Sequence, residues 1–411
     1  MPIRAFRPSG PLWDNPDFLK LWAAQSLSAV GTRFTREGMP MIAALVLGAS
    51  ATDLGILVAL SALPGVFLSP LAGAWIDRIR RRPVLIGADL ARAAALATLP
   101  VAFWWDALTI GQVIGVATFV AFFSMLFQTA DNAYLPSLVG REHLLEANTK
   151  LATTDAAAEV AGPALAGVLI QALTAPVAIA VDALSYLWSA ACLARIRSRE
   201  ALVTTGERVP DIWQETREGL SFVVRHPTLR PLVLCLGTFT FFLSFFSPLY
   251  VLYAVRDLAI PPAVLGIVVA MGGVGALAGA PFAERFGRRY PPRRLLFATL
   301  LGYGLGTCLI PLAGGPVWLA AGMLIVPQLF GDSLYMVFST NALSLRQTVT
   351  PDGLQGRVGG TVHWVTGGLG LLAALGAGWV ADQVGIRPVL WAGALGIMAS
   401  SLWLLALPRE P

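Results

Sequence analysis

Charged residues are scarce in this sequence, and their scarcity excludes a soluble protein. Of the 411 residues, 13% are charged and 56% are hydrophobic, whereas soluble domains have roughly 25% charged residues. The net charge of +5 does not predict nucleic-acid binding, because the arginines lie in short segments between apolar runs and form no basic stripe. The composition therefore predicts that a lipid bilayer surrounds the protein.

Other absences exclude several kinds of chemistry. The three cysteines, Cys192, Cys235 and Cys308, lie in or beside apolar runs without paired spacing, which predicts neither disulfides nor a metal site. No Gly-x-x-x-x-Gly-Lys-Ser/Thr loop and no His-Glu-x-x-His motif occur, so neither direct use of ATP nor metal-dependent catalysis is indicated. We therefore expect no enzyme, no cofactor and no metal. The first ten residues lack the apolar core of a signal peptide, and we expect none.

Long apolar runs are abundant. A helix needs roughly 20 apolar residues to cross the ~30 Å hydrocarbon core of a bilayer. We predict an all-α integral membrane protein with twelve such helices. Their expected ranges are 18–47, 54–76, 83–103, 108–134, 151–173, 176–193, 232–255, 264–282, 294–312, 317–343, 358–381 and 388–407. The one long interruption, residues 195–230, separates a half of residues 1–194 from a half of residues 231–411.

Residues 195–230 are predicted to form a cytoplasmic linker that contains one amphipathic helix. Asp211 is in position to cap this helix, and Ile212, Leu220 and Val224 share one face at helical spacing. Pro227 predicts where the helix ends. Such a helix lies on the membrane surface.

The positions of the basic residues predict the orientation of the chain. Arginines concentrate in alternate loops of the twelve-helix arrangement and in the terminal segments. The positive-inside rule assigns these loops to the cytoplasm. We therefore expect a multi-pass protein of the cell (cytoplasmic, or inner) membrane with both termini in the cytoplasm.

The turn between the second and third predicted helices carries four arginines. Residues 73–82 read Gly-Ala-Trp-Ile-Asp-Arg-Ile-Arg-Arg-Arg. Asp77 can accept hydrogen bonds from a helix end or an arginine, and such a pair would latch the cytoplasmic side. Alternatively, the arginines only orient the chain. Residues 280–289 repeat the pattern with Glu284 in place of Asp77, which indicates two related halves.

This turn resembles the loop between the second and third helices of the major facilitator superfamily, Gly-x-x-x-Asp-Arg-x-x-Arg-Arg. The resemblance implies two six-helix repeats of parallel topology, with a substrate site near the midplane between them. It also implies a cytoplasmic gate built from the turn and its repeat. The gate residues would be Gly73, Asp77, Arg78, Arg81, Glu284, Arg285 and Arg288.

The fifth predicted helix contains a segment similar to the superfamily's antiporter motif, with alanine at two of its glycine positions. Gly162 and Gly167 permit close helix packing, and Pro163 bends the helix. The match favours export, and the alternative is a packing seam without influence on direction. Residues 135–142 and 351–357 resemble the branch that contains the enterobactin exporter and macrolide efflux proteins.

Glu159 is the predicted proton-coupling residue. Charges inside a membrane cost roughly 2.5–3.5 kcal/mol on the mildest scale, which makes each a functional candidate. At 1.5 Å per residue, Glu159 lies about 12 Å deep, with Asp155 one turn below on the same face. One of two neighbouring carboxylates can take up and release a proton near neutral pH. Glu37 is a further candidate for proton coupling. The alternative is a static ion pair of Glu159 with Arg92 or Arg33.

Asp89, Arg92, Asp131 and Asp332 are expected to make interhelical contacts rather than ligand contacts. Glu37 and Arg33 alternatively neutralise each other. The candidate intramembrane charges outside the proton-coupling set form one expected network. This network comprises Arg33, Arg36, Asp89, Arg92, Asp131 and Asp332. The candidate cavity residues are His363, Trp364, Phe241 and Phe245, for which packing or lipid contact is the alternative.

These features predict a monomeric secondary transporter that uses protons to export amphipathic small molecules such as drugs, macrolides or siderophore-like compounds. Two alternatives remain open at the level of sequence. These alternatives are a permease for nutrient uptake and a membrane scaffold or sensor that does not transport.

Overall fold

The computed structural model describes residues 10–76, 78–198 and 212–408, and these residues form helices without strands. The N-terminal half contains α1 (16–46), α2 (51–76), α3 (Arg81–Trp104), α4 (Ile110–Val139), α5 (Leu144–Leu173) and α6 (Ala175–Ala194). A linker helix spans Ile212–Arg225. The C-terminal half contains α7 (Leu229–Asp257), α8 (Pro262–Arg289), α9 (Pro292–Leu312), α10 (Val317–Val349), α11 (Gln355–Val384) and α12 (Ile386–Ala406).

Eleven of these helices are long and apolar enough to cross a membrane. The twelfth, α1, carries five charged residues, among them Arg33, Arg36 and Glu37. It begins at Pro16, because the Asn15 side chain accepts hydrogen bonds from the backbone N–H groups of Asp17 and Phe18 at 3.0 and 3.1 Å. The predicted all-α membrane fold is confirmed.

Several helices extend beyond their apolar segments. The fifth helix begins at Leu144, although the apolar run predicts a start near residue 151. The eighth helix continues to Arg289 instead of ending near residue 282. Helix propagation depends on backbone hydrogen bonds and not on hydropathy, so charged turns continue these helices past the hydrocarbon core.

The two halves repeat their local geometry. A short 3₁₀ turn precedes α5 at Arg141–His143 and α11 at Asp352–Leu354. Each of these helices then ends at a residue with positive φ, Thr174 at 85° and Gly385 at 90°. The correspondence agrees with the repeat inferred from the two arginine-rich segments.

Four helices contain π-helical turns, which are frequent at functional sites. Two of these turns begin with proline, at Pro64–Leu68 in α2 and Pro327–Gly331 in α10. Proline cannot donate the normal helical hydrogen bond, so it favours a local break in the α-helical pattern.

The linker helix is docked against the C-terminal half. Its Val223 is buried against Val358 and Val362 of α11, and Glu218 binds Arg357 at 2.5 Å. The predicted apolar face is not the docked one, because Leu220 and Val224 are 45% and 54% exposed. Asp211, the predicted cap, lies outside the described residues.

Several polar contacts between the halves lie at one membrane face. The α1–α2, α5–α6, α7–α8 and α11–α12 connections lie there, and we call it the far face. The start of α1, the end of α12 and the linker helix lie at the opposite face, which we call the terminal face. At the far face, Arg256 donates to the Ala44 carbonyl at 3.2 Å, and the Ala263 N–H donates to Gln171 Oε1 at 3.1 Å.

Candidate functional site

The two halves enclose a central cavity of about 700 Å³. Its walls come from α1, α2, α4 and α6 on one side and from α7 to α10 on the other. Most of the lining is apolar, with aromatic rings from Tyr186, Phe246, Tyr250 and Tyr303. Its charged lining residues are Arg36, Glu37 and Asp332. The cavity thus combines a large apolar surface with a few charges, as pockets for drug-sized molecules do.

Glu159 belongs to a cluster of four charges beside the cavity. Its carboxylate binds Arg33 Nη1 at 2.6 Å and Arg36 Nη2 at 3.0 Å. Arg36 Nε also contacts Glu37 Oε1 at 3.2 Å. Glu37 therefore pairs with Arg36, and not with Arg33 as its spacing suggested. Glu159 pairs with Arg33, one of the two partners that the sequence left open.

A polar chamber of about 630 Å³ continues from the central cavity within the N-terminal half. The walls of both spaces include Thr32 and Ser124. Asp155 lines the chamber, as does Asp131, which accepts a hydrogen bond from Gln25 of α1 at 2.6 Å. The chamber reaches the α4–α5 connection, so the cavity leads toward the terminal face.

Asp89 and Arg92 form a buried ion pair within α3, where the sequence suggested contacts between helices. Arg92 also reaches other helices. It donates to Ser124 of α4 at 3.2 Å and lies 4.6 and 4.1 Å from the ring centres of Phe127 and Tyr186. Arg92 therefore joins α3 to α4 and α6.

Asp182 of α6 is a buried acidic residue that the sequence reasoning missed. Thr35 and Ser185 donate hydrogen bonds to its carboxylate. Gly31 makes room for it, because a Cβ at that position would lie 2.5 Å from Asp182 Oδ1. The missed signal was an acidic residue within an apolar helix. Thr35 also lines the central cavity, so Asp182 lies directly behind its wall.

The predicted cavity residues lie elsewhere. His363 faces the Gly65 carbonyl at 3.4 Å, and the Trp364 ring packs against Phe67 of α2. Phe241 and Phe245 line a separate groove between α7, α11 and α12. The side chains of successive residues in a helix point in directions about 100° apart. Phe246 therefore faces the central cavity, whereas Phe245 does not.

The gate residues that the structure describes have different surroundings. Arg78 and Arg285 are exposed, Arg81 is buried, and the exposed Glu284 pairs with Arg288 within α8 at 2.5 Å. A Cβ at Gly73 would meet no described atom within 4 Å. Asp77 lies outside the described residues.

The small residues of α5 form close contacts. A Cβ at Gly162 would lie 2.4 Å from the Arg33 side chain, and one at Gly167 would lie 2.3 Å from the Pro262 carbonyl of α8. The Pro163 carbonyl likewise lies 2.3 Å from a Cβ at Gly266. This part of α5 thus packs directly on the other half near the far face.

A carboxylate joins the halves at the far face. Asp382 of α11 accepts hydrogen bonds from the backbone N–H groups of Ala51 and Thr52 at 2.9 and 2.8 Å. The Thr52 hydroxyl donates to it at 2.5 Å. The first N–H groups of a helix lack partners within the helix, so Asp382 caps α2 from the opposite half.

Replacing Asp382 with alanine is expected to favour opening of the far face by about tenfold, because hydrogen bonds to a charged group are worth about 1.5–3 kcal/mol. Ser247, which lines the cavity, can be replaced by cysteine in a background without the native cysteines. Labelling of this cysteine with a membrane-impermeant maleimide from the far face should accelerate. Gln383→Ala, a change at the exposed neighbouring residue, is the control, and equal rates in both variants would contradict the latch.

Two six-helix halves around a shared cavity define a membrane transporter. The profile of the Major Facilitator Superfamily matches residues 21–374, and the chain belongs to this family. It is therefore a multi-pass membrane protein that moves small molecules and not an enzyme, as the sequence predicted.

Three relatives are similar over most of the chain or a large part of it. The uncharacterized MFS-type transporter YfiS of Bacillus subtilis is 27% identical over 408 residues, 96% of this chain and 94% of the relative. The multidrug efflux pump Tap of Mycolicibacterium fortuitum is 27% identical, covering 96% of each chain. Macrolide efflux protein A of Streptococcus pyogenes is 25% identical, covering 70% of this chain and 71% of its own.

Solved structures share the fold. A mutant of the nucleoside transporter NupG superposes with a TM-score of 0.78 at 11% identity, covering 95% of this chain and 98% of the other. A bacterial homologue of the iron transporter ferroportin, in its inward-facing state, superposes with a TM-score of 0.70 at 16% identity. The superposition covers 97% of this chain and 99% of the other.

Proposed function

We propose that this protein exports amphipathic small molecules in exchange for protons, as a monomer with both termini in the cytoplasm. The central cavity carries the proposal. Its volume of about 700 Å³ lies within the ~300–1,000 Å³ typical of small-molecule sites. Its apolar walls and few charges suit molecules that have an apolar body and a polar or charged group.

The arrangement of the halves supports alternating access. The far face is closed by Asp382, by the packing of α5 on α8 and by the contact of Arg256 with α1. The cavity leads instead to the terminal face through the polar chamber. With the arginines of residues 78–82 in the cytoplasm, this conformation is the one that loads cargo from inside the cell.

Glu159 is the proposed coupling residue. In this conformation its carboxylate neutralises Arg33 and Arg36. Protonation would remove that charge and release Arg36, whose other partner, Glu37, lines the cavity. Arg36 thus connects the proton site to the cargo site. The names of two relatives, a multidrug efflux pump and a macrolide efflux protein, favour export over uptake.

The test uses everted membrane vesicles with an acidic interior. We expect vesicles that contain the protein to accumulate the cationic dye ethidium or the neutral dye Nile red, and to lose part of their pH gradient during accumulation. Vesicles without the protein are the control. Net dye release would indicate an uptake permease, and no effect with either dye would favour a protein that does not transport.

A further inference from the structure

Asp332 lies on the C-terminal wall of the central cavity. It follows the π-helical turn Pro327–Gly331, after which α10 resumes α-helical geometry. Pro327 and Gln328 line the same wall. The sequence predicts an interhelical contact for Asp332, whereas the structure places it on the cavity wall.

The charge of Asp332 lacks a counter-ion among the described residues. Within the parts of the chain that the structure describes, no ion pair and no hydrogen bond reaches its carboxylate. The other charged lining residues, Arg36 and Glu37, bind each other at 3.2 Å. Glu159, whose carbonyl oxygen would lie 3.2 Å from a Cβ at Gly273, carries a charge of the same sign as Asp332. A carboxylate in a membrane is unfavourable without a partner, so a cation that enters the cavity would compensate this charge.

A second acceptor converges with the carboxylate. A Cβ at Gly272 of α8 would lie 2.5 Å from Asp332 Oδ2 and 2.6 Å from Gln328 Oε1, so both oxygens occupy the space that this glycine leaves. The Gln328 amide is oriented by a hydrogen bond from Nε2 to the Tyr250 hydroxyl at 3.3 Å. Two oxygen acceptors side by side favour a positively charged ligand.

Aromatic rings complete this environment. Tyr250 and Tyr303 line the cavity; Tyr250 is hydrogen-bonded to Gln328, and the Tyr303 ring would lie 3.5 Å from a Cβ at Gly331, the residue before Asp332. The face of an aromatic ring attracts a cation within about 6 Å. A carboxylate beside tyrosine rings therefore suits an organic cation with apolar substituents better than a small, strongly hydrated ion.

We propose that Asp332, Gln328, Tyr250 and Tyr303 bind the positively charged group of an amphipathic organic cation. This inference rests on the proposed function, because it requires cargo to occupy the central cavity. It adds the chemical class of cargo and assigns its recognition to the C-terminal half, opposite the Glu159 cluster.

The test compares two ions of the same shape and opposite charge, tetraphenylphosphonium and tetraphenylborate. Equilibrium dialysis with the purified full-length protein should show tighter binding of tetraphenylphosphonium. Asp332→Asn should weaken tetraphenylphosphonium binding at least about tenfold, which corresponds to about 1.4 kcal/mol. The same substitution should leave tetraphenylborate binding unchanged or make it tighter. Asp332→Glu should restore most of the preference. The control is Asp352→Asn, which changes an exposed carboxylate outside the cavity.

A second variant keeps the charge and disturbs only its position. Gly272→Ala should displace the Asp332 and Gln328 oxygens and weaken tetraphenylphosphonium binding. Gly322→Ala is the control and should not weaken it, because a Cβ at Gly322 would meet no described atom within 4 Å. Equal binding of tetraphenylphosphonium by the wild type and Asp332→Asn would overturn the inference. The inference would also be overturned if Asp332→Asn weakened the binding of both ions equally, or if the wild type did not bind tetraphenylphosphonium. Because dialysis requires no transport, Nile red export in vesicles tests the proposed function separately.

Discussion

Replacing Gly167 with leucine is expected to reduce transport to the level of vesicles without the protein. A Cβ at Gly167 would lie 2.3 Å from the Pro262 carbonyl and 3.0 Å from Gly266 Cα, and backbone atoms cannot move aside as a flexible side chain can. The leucine would hold α5 and α8 apart at the far face. Separating the halves relieves this clash, so we expect the protein to remain folded and open to the far face.

Two measurements check this expectation. Dye accumulation in everted vesicles gives the transport rate, and maleimide labelling of Ser247→Cys from each face gives the conformation. Gly115→Leu in α4 is the matched control, because a Cβ there would meet no described atom within 4 Å. Normal transport by Gly167→Leu would show that the contact between α5 and α8 need not close during the cycle.

Replacing Glu159 with glutamine is expected to abolish uphill export driven by a pH gradient. Glutamine has the same shape as the protonated acid but cannot release a proton. Cargo should still bind and exchange down its gradient, because Glu159 is absent from the lining of the central cavity. Arg33 and Arg36 would lose their shared carboxylate, so a lower unfolding temperature is expected, since breaking such pairs is destabilising.

The measurement separates two rates in the same vesicles, dye accumulation against its gradient and dye efflux down its gradient. Glu284→Gln, which changes an exposed carboxylate of α8, is the control for handling and expression. If Glu159→Gln still accumulates dye at the normal rate, proton coupling must depend on another carboxylate, with Glu37 and Asp155 as the next candidates.

The candidate site was predictable only in part. The intramembrane acids of α1 and α5 could be found because a charge within an apolar run is visible in the sequence. Their partners could not, and Glu37 pairs with Arg36 although Arg33 has the more usual helical spacing. For Phe241 and Phe245 the sequence identified aromatic residues, but which of them face the cavity depends on the rotation of α7.

The sequence by itself determined that the protein lies in a membrane and how many membrane helices it has. It also determined that the two halves are related and to which family the chain belongs. These properties follow from local sums of hydropathy, from the distribution of arginines and from short motifs. Tertiary structure alone decided that Asp332 faces the cavity, that Asp182 lies behind its wall and that Asp382 caps α2, more than 300 residues away along the chain. Each of these depends on how separate helices rotate and pack against one another, which no local pattern in the sequence records.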